Sequence, residues 1–276
     1  MQEIIHLSDL HVGSSKKVIF KLKKIINHIA ERHPGVPVLI TGDLTDSASE
    51  GQFKDTRELL DTLAITNPIL AVPGNHDYAW KGIAAEFRHD AWKNWLEYLG
   101  SPMGWGRQLG HWLESDHYPV GVEGLGVFEH DETVFFGVDS GDPMDHELTA
   151  RGYISDNLAT ALSSELKKFV GKTRIVFLHH HPFIHEWTMA LEGDTRFKAA
   201  VSGNCELLLF GHKHDYGIWW NGENEIISAP LIVASHSTKN HISGKCYAYT
   251  LIRITRLNGA IESIDHSLEV VRIKKK

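Results

Sequence analysis

Five short apolar runs, each breaking off at a cluster of Asp, Asn or His, constrain this chain more than any other feature. Ile4-Ile5-His6-Leu7 leads into Ser8-Asp9-Leu10-His11, and Val38-Leu39-Ile40 into Thr41-Gly42-Asp43. Leu70-Ala71-Val72 leads into Pro73-Gly74-Asn75-His76-Asp77. Ile175-Val176-Phe177-Leu178 leads into His179-His180-His181-Pro182, and Leu207-Leu208-Leu209-Phe210 into Gly211-His212-Lys213-His214. Apolar runs of this length, bounded by Pro and Gly, read as buried strands feeding tight turns. In open α/β sheets, ligands bind just beyond the carboxyl ends of the strands. One such run is explained by a strand end with a satisfied polar residue. Five in succession describe a site assembled from separate turns.

The intervening segments supply crossovers. A helix is predicted over about Ser15 to His33, with Val18, Leu22, Ile25, Ile26 and Ile29 as its apolar stripe. Lys16, Lys17, Lys21, Lys23 and Lys24 fall mostly outside that stripe and read as a solvated face rather than a phosphate or membrane patch. A second helix is predicted over Ser49 to Leu63, with Phe53, Leu59, Leu60 and Leu63 turned inward. This β-α-β-α-β order implies parallel strands and right-handed crossovers, which gather successive strand ends on one edge of a sheet.

Further along, Thr133 to Val138 reads as a strand and Asn157 to Phe169 as an amphipathic helix. Past His214 the chain turns β-rich, with strands expected at Gly217 to Trp220, Ile226 to Ala234, Tyr247 to Thr255 and Ile261 to Ile273. The alternation along Tyr247 to Ile254 suits antiparallel strands buried on one face. The chain is expected to form a single domain over residues 1–276 with an insertion at about 79–131. That insertion holds Trp80, Trp92, Trp95, Trp105 and Trp112. It reads either as a cap over the site or as a satellite packing cluster.

Composition narrows the partners. A formal net charge of −7 leaves no broad basic field to gather nucleic acid, which argues against a nuclease. Cys205 and Cys246 are too few for a disulfide scaffold and fit a reduced compartment. No signal-like N-terminal segment is evident, and no apolar run approaches the roughly 20 residues of a membrane span. The expectation is a cytoplasmic protein with no membrane partner, acting on a small substrate.

Aspartate, asparagine and histidine without thiolate make a hard-to-borderline donor set, suited to manganese, iron or zinc. The candidates outnumber the needs of one ion, so two divalent or mixed-valence transition metal ions sharing a carboxylate are the natural solution. Asp43, preceded by Gly42, is the candidate bridge. Such a pair suits hydrolysis of a phosphate ester, and an unligated imidazole beside it can protonate the leaving oxygen.

Asp9-x-His11, Gly42-Asp43, Gly74-Asn75-His76-Asp77, the His179 run and Gly211-His212-Lys213-His214 together resemble the calcineurin-like metallophosphoesterase superfamily. Within it they look most like the bacterial branch that includes class III cyclic nucleotide phosphodiesterases and glycerophosphodiesterases. The resemblance implies an α/β fold, a four-layer α-β-β-α sandwich of two mixed sheets, with a dinuclear metal site at the strand ends. It implies that one ion takes Asp9, His11, Asp43 and His214, and the other Asp43, Asn75, His179 and His212. His76 matches the unligated histidine. Asp46 matches a position whose carboxylate often hydrogen-bonds that histidine, and it is alternatively the N-cap of the second helix. Counting from the strand end selects His179 as ligand, whereas counting back from Pro182 selects His180. Strand alternation admits only one of them, and His179 is the reading taken here. The implied activity is hydrolysis of small phosphodiesters, cyclic nucleotides among them. The alternatives are a phosphomonoesterase of nucleotides or phosphoproteins, a nuclease, and a non-catalytic metal-binding scaffold.

Overall fold

Strand alternation sets the layers. In the first strand Ile5 and Leu7 face one core and Ile4 another; in the second Val38 and Ile40 face the first core and Leu39 the other. A strand with apolar residues on both faces has to be covered on both sides. The computed structural model describes residues 1–78, 88–100, 124–141, 150–184, 186–214, 218–219, 231–233 and 246–272. Its first half runs β1 (Gln2–Leu7), α1 (Lys16–Arg32), β2 (Val38–Thr41), α2 (Glu50–Ala64), β3 (Ile69–Val72) and, after one 3-10 turn at Asn75–Tyr78, α3 (Arg88–Tyr98). It continues β4 (Leu125–His130), β5 (Thr133–Val138), β6 (Gly152–Tyr153), α4 (Asp156–Lys168), β7 (Thr173–Phe177), β8 (Leu191–Glu192), α5 (Asp194–Val201) and β9 (Leu207–Leu209). The last strands are β10 (Ile218–Trp219), β11 (Leu231–Val233), β12 (Cys246–Leu257) and β13 (Ala260–Arg272).

Two mixed sheets result, in the orders β13-β12-β1-β2-β3 and β10-β11-β9-β7-β5-β4. In the first, β1, β2 and β3 are parallel, and β12 joins antiparallel to β1. In the second, β11, β9, β7 and β5 are parallel. The apolar stripes of α1 and α2 cover the outer face of the first sheet, those of α4 and α5 the outer face of the second. Ile4, Leu39, Leu70, Phe135, Phe177 and Leu209 fill the space between the sheets. The architecture is a four-layer α-β-β-α sandwich.

Helix boundaries follow their caps. Ser49 Oγ accepts from Gln52 N–H at the start of α2, and Ser155 Oγ from Leu158 N–H at the start of α4. Ser49, not Asp46, therefore caps α2. The expected one-sided burial of the strand at Tyr247 to Thr255 is corrected: in β12, Tyr249 and Leu251 meet the helix side while Ile252 and Ile254 enter the inter-sheet core. The helix layer covers one face of β12 and the second sheet the other. α5 and the small β6-β8 sheet went unread because their apolar residues are too few to show a period.

Residues 125–130, placed in the insertion by the sequence, form β4 and pair antiparallel with β5. Trp95 in α3 is buried edge-on against Phe53, and Trp92 stacks on Tyr78 with ring centroids 5.7 Å apart. These two tryptophans pack. Trp80, Trp105 and Trp112 lie outside the described residues, as does most of the Ile226 to Ala234 segment. Among the described residues no helix is long and apolar enough to cross a membrane.

Cys205 is enclosed in the second sheet's helix-side core, where burial pushes its thiol up to about 12. In a Cys246→Ser variant, a thiol-specific chromogenic disulfide is expected to give no reaction until denaturant is added. Rapid labelling of the native protein would contradict that burial.

Candidate metal centre

Every parallel strand of β1, β2 and β3 ends at the same edge, and there the turns lock together through their backbones. Asp9 N–H donates to the Gly42 carbonyl (3.0 Å) and His11 N–H to the Asp43 carbonyl (2.9 Å). Asp9, His11, Asp43, His212 and His214 all adopt positive φ between 46° and 79°. Left-handed backbone costs a non-glycine residue of order 1 kcal/mol or more and persists where the surroundings impose it. Here it turns five donor side chains back over the strand ends.

The glycines admit this crowding. A Cβ on Gly74 would stand 2.3 Å from Asp43 Oδ1 and 2.4 Å from Asp43 N. One on Gly42, itself at φ +82°, would stand 2.5 Å from His179 Nδ1. Gly74→Ala is expected to displace Asp43 and lower the protein's bound transition metal by at least about tenfold in affinity, the scale of lost ligand support. Metal analysis after dialysis checks it; wild-type retention would mean the turn absorbs the methyl group.

The donors fall into two groups joined by Asp43. In the first, His179 Nε2 lies 3.0 Å from Asn75 Oδ1, 3.2 Å from His212 Nδ1 and 3.5 Å from Asp43 Oδ1, while His212 Nδ1 lies 3.1 Å from Asn75 Oδ1. In the second, His11 Nε2 lies 3.1 Å from His214 Nε2 and 3.6 Å from Asp43 Oδ2, and His214 Nε2 lies 3.3 Å from Asp9 Oδ1. Donors sharing one cation at ~2.1 Å stand about 3.0–3.5 Å apart, the edges of an octahedron or tetrahedron. Both groups match that spacing, and the two oxygens of Asp43 serve one each. His214 is half-buried; the other six donor residues are buried.

Protonation points the same way. His179 Nδ1–H donates to the Thr41 carbonyl (2.8 Å), which aims Nε2 at Asn75 Oδ1. A cation placed between those two atoms would be met by both. Burial holds His212 well below the ordinary imidazole range and brings His11 to about 4, leaving both neutral as ligands must be. Burial pushes the Asp43 carboxyl upward, but attraction to His179 and His76 and the hydrogen bond from the His76 main-chain N–H outweigh it and hold it below the usual carboxylate range. Asp9 is likewise buried and likewise lowered, by its hydrogen bond and attraction to His214. Its Oδ2 is a buried atom with no hydrogen-bond partner among the described residues, as are His11 Nδ1 and His212 Nε2. The residues present fit a pair of hard-to-borderline cations.

All the sequence-selected residues meet here. His179 Nε2 faces Asp43 and Asn75; His180 Nδ1 pairs with Ser140 Oγ (2.9 Å), and His180 also forms with His179 and His212 a buried group whose nitrogens could share a cation. His76 belongs to neither donor group: its ring meets that of His11 edge-on at 4.6 Å, and its N–H donates to Asp43 Oδ1 (2.9 Å). Asp46 stands beside both histidines, with ligand atoms of His11, Asp46 and His76 within 4.8 Å of one another. His76 Nδ1 bonds the main-chain carbonyl of Asp46 (2.7 Å), while the Asp46 carboxylate lies 3.8 Å from His11 Nδ1.

Asp77 carries a part that sequence reasoning left unassigned. It is buried and accepts from Leu44 N–H, Thr45 N–H, Thr45 Oγ1 and Gly74 N–H at 2.8–3.1 Å. It thereby ties the Asp43 turn to the Asn75 turn, with its carboxyl raised to about 6 by burial and by Asp43. Its place closing Gly74-Asn75-His76-Asp77 was the only signal available.

A family model described as calcineurin-like phosphoesterase matches residues 3–216. The chain is 26% identical over 192 residues to a probable glycerophosphodiester phosphodiesterase, GpdQ, of Arcobacter nitrofigilis, an alignment covering 65% of this chain and 57% of that one. It is 37% identical over 79 residues to a probable cyclic nucleotide phosphodiesterase of Vesicomyosocius okutanii, covering 27% of this chain and 33% of the relative. Both alignments thus span less than two thirds of the relatives' length. A 5'-nucleotidase precursor from Thermus thermophilus shares the fold at a TM-score of 0.55 and 12% identity, over 98% of this chain and 54% of that one. The match over residues 3–216 takes in every one of the five turns, and this chain belongs to the calcineurin-like phosphoesterase family.

Proposed function

We propose that the chain hydrolyses small phosphodiesters using two transition metal ions, manganese, iron or zinc, held by Asp9, His11, Asp43 and His214 and by Asp43, Asn75, His179 and His212. The observation that carries the reading is the division of Asp43 between two donor groups of cation-sized spacing. When bound, paired cations neutralise phosphate oxygens and lower the pKa of an attacking water.

The chain's own residues do the rest. Asp43 supplies one oxygen to each group and fixes their separation. The Thr41 carbonyl holds His179 in one tautomer, and Asp77 fixes the two turns against each other. His76 is kept out of the donor groups but beside His11. With Nδ1–H committed to the Asp46 carbonyl, its Nε2 is the atom that delivers a proton to the leaving alkoxide. A preference for diesters is supported by the names of the two curated relatives, each a probable phosphodiesterase.

The test is turnover of bis-p-nitrophenyl phosphate against p-nitrophenyl phosphate by protein reconstituted with manganese, iron or zinc. Faster cleavage of the diester is expected with at least one metal. Consistent preference for the monoester would move the assignment to a phosphomonoesterase, and no turnover with any metal would favour the scaffold.

A further inference from the structure

The outward face of α1 carries a feature that the hydrolytic site does not use. Val18, Leu22, Ile25, Ile26 and Ile29 bury the inner stripe, so the opposite face is fixed towards solvent. On that face Phe20 is 55% exposed. Residues three and four apart are neighbours on a helix surface. The residues at those offsets from Phe20 are Lys16, Lys17, Lys23 and Lys24, so four lysines flank one exposed aromatic residue along the helix surface. Lys24 Nζ lies 5.7 Å from the ring centroid. None of the four lysines forms a salt bridge with a described residue, and the first turn holds no acidic side chain. This cationic cluster stands on a chain whose net charge is −7.

We infer that this face docks on an anionic phospholipid surface, with Phe20 entering the headgroup layer and the lysines meeting lipid phosphates. Helices that lie in a membrane interface pair an apolar insert with a basic rim, and lysine stems extend along the apolar region while their heads stay in water. The charge complementarity is local: the rest of the chain is acidic and is repelled by the same surface, which orients the molecule with α1 downward. α1 starts five residues after His11, so its first turn leads away from the edge that carries the candidate metal centre. A single convex helix offers no groove to track a nucleic-acid strand, which favours lipid over nucleic acid as the occupant. The inference goes beyond the reading of these lysines as a solvated face, and it is independent of the hydrolase assignment.

The test is co-sedimentation of the full chain with vesicles of phosphatidylcholine alone and of phosphatidylcholine mixed with phosphatidylglycerol, at low and high salt. Binding to the anionic vesicles only, weakened by salt, is expected. Each lysine at such a surface is worth roughly fivefold in partition, so Lys16→Gln/Lys24→Gln is expected to lose about 25-fold. Phe20→Ala is expected to lose several-fold, with unfolding temperatures unchanged for both variants. Should the first pair fail to fold, Lys17→Gln/Lys23→Gln replaces it on the same face. Absence of binding, equal binding to neutral vesicles, or full binding by the variants overturns the inference. So does binding of a single-stranded oligonucleotide without vesicle binding, which would make this a nucleic-acid face.

Discussion

Asp43→Asn is expected to lower turnover of bis-p-nitrophenyl phosphate by about 10³-fold or more, the loss corresponding to several kcal/mol of charge stabilisation. Bound metal is expected to fall at both donor groups together. The reason is geometric. Oδ1 stands 3.5 Å from His179 Nε2 and Oδ2 stands 3.6 Å from His11 Nε2, and among the described residues no other side chain spans both groups. An amide there provides one oxygen and turns an N–H donor towards a donor cluster. It also removes the anion that His76 N–H and three imidazoles surround. The substitution preserves shape, so folding should survive, and metal content can be read by elemental analysis alongside activity. A variant that kept both metals and full turnover would show that Asp43 bridges nothing.

His76→Ala is expected to depress turnover by about 10²–10⁴-fold while leaving metal content near wild type. His76 donates its main-chain N–H to Asp43 Oδ1, and alanine retains that donor. What is lost is the imidazole whose Nδ1 is fixed by the Asp46 carbonyl. The discriminating readout is the leaving group. A substrate whose leaving group needs no protonation, such as p-nitrophenolate, should suffer less than an alkyl ester. Equal loss of metal and activity would instead make His76 a ligand.

The contrast between Asp43 and His76 also shows how the site was readable. Turns of this kind are written locally: a strand must end, a glycine must admit the neighbour, and a donor must follow at once. Gly42-Asp43 and Gly74-Asn75-His76 satisfy this in consecutive residues, so their convergence was legible before any coordinates. The approximate extents of α1, α2 and α4 were legible because an apolar stripe is a short-range pattern, whereas the cap suggested for α2, Asp46, gave way to Ser49. Asp46 shows the limit. Its carboxylate was one expected partner of His76; the packed turn also offers its carbonyl, and main-chain groups have no sequence signature.

The sequence by itself determined which side chains stand at the strand ends and that strands such as β1 and β2 are apolar on both faces, because period and turn chemistry act within a few residues. Only the tertiary structure decided which of His179 and His180 faces Asp43 and Asn75, how Asp77 ties two turns together, and that β12 is enclosed on both sides. Those outcomes depend on what packs against each strand from residues as far as about the chain's length away. The same holds for Phe20: its spacing put it on the outer face, but its exposure depended on no other element covering it.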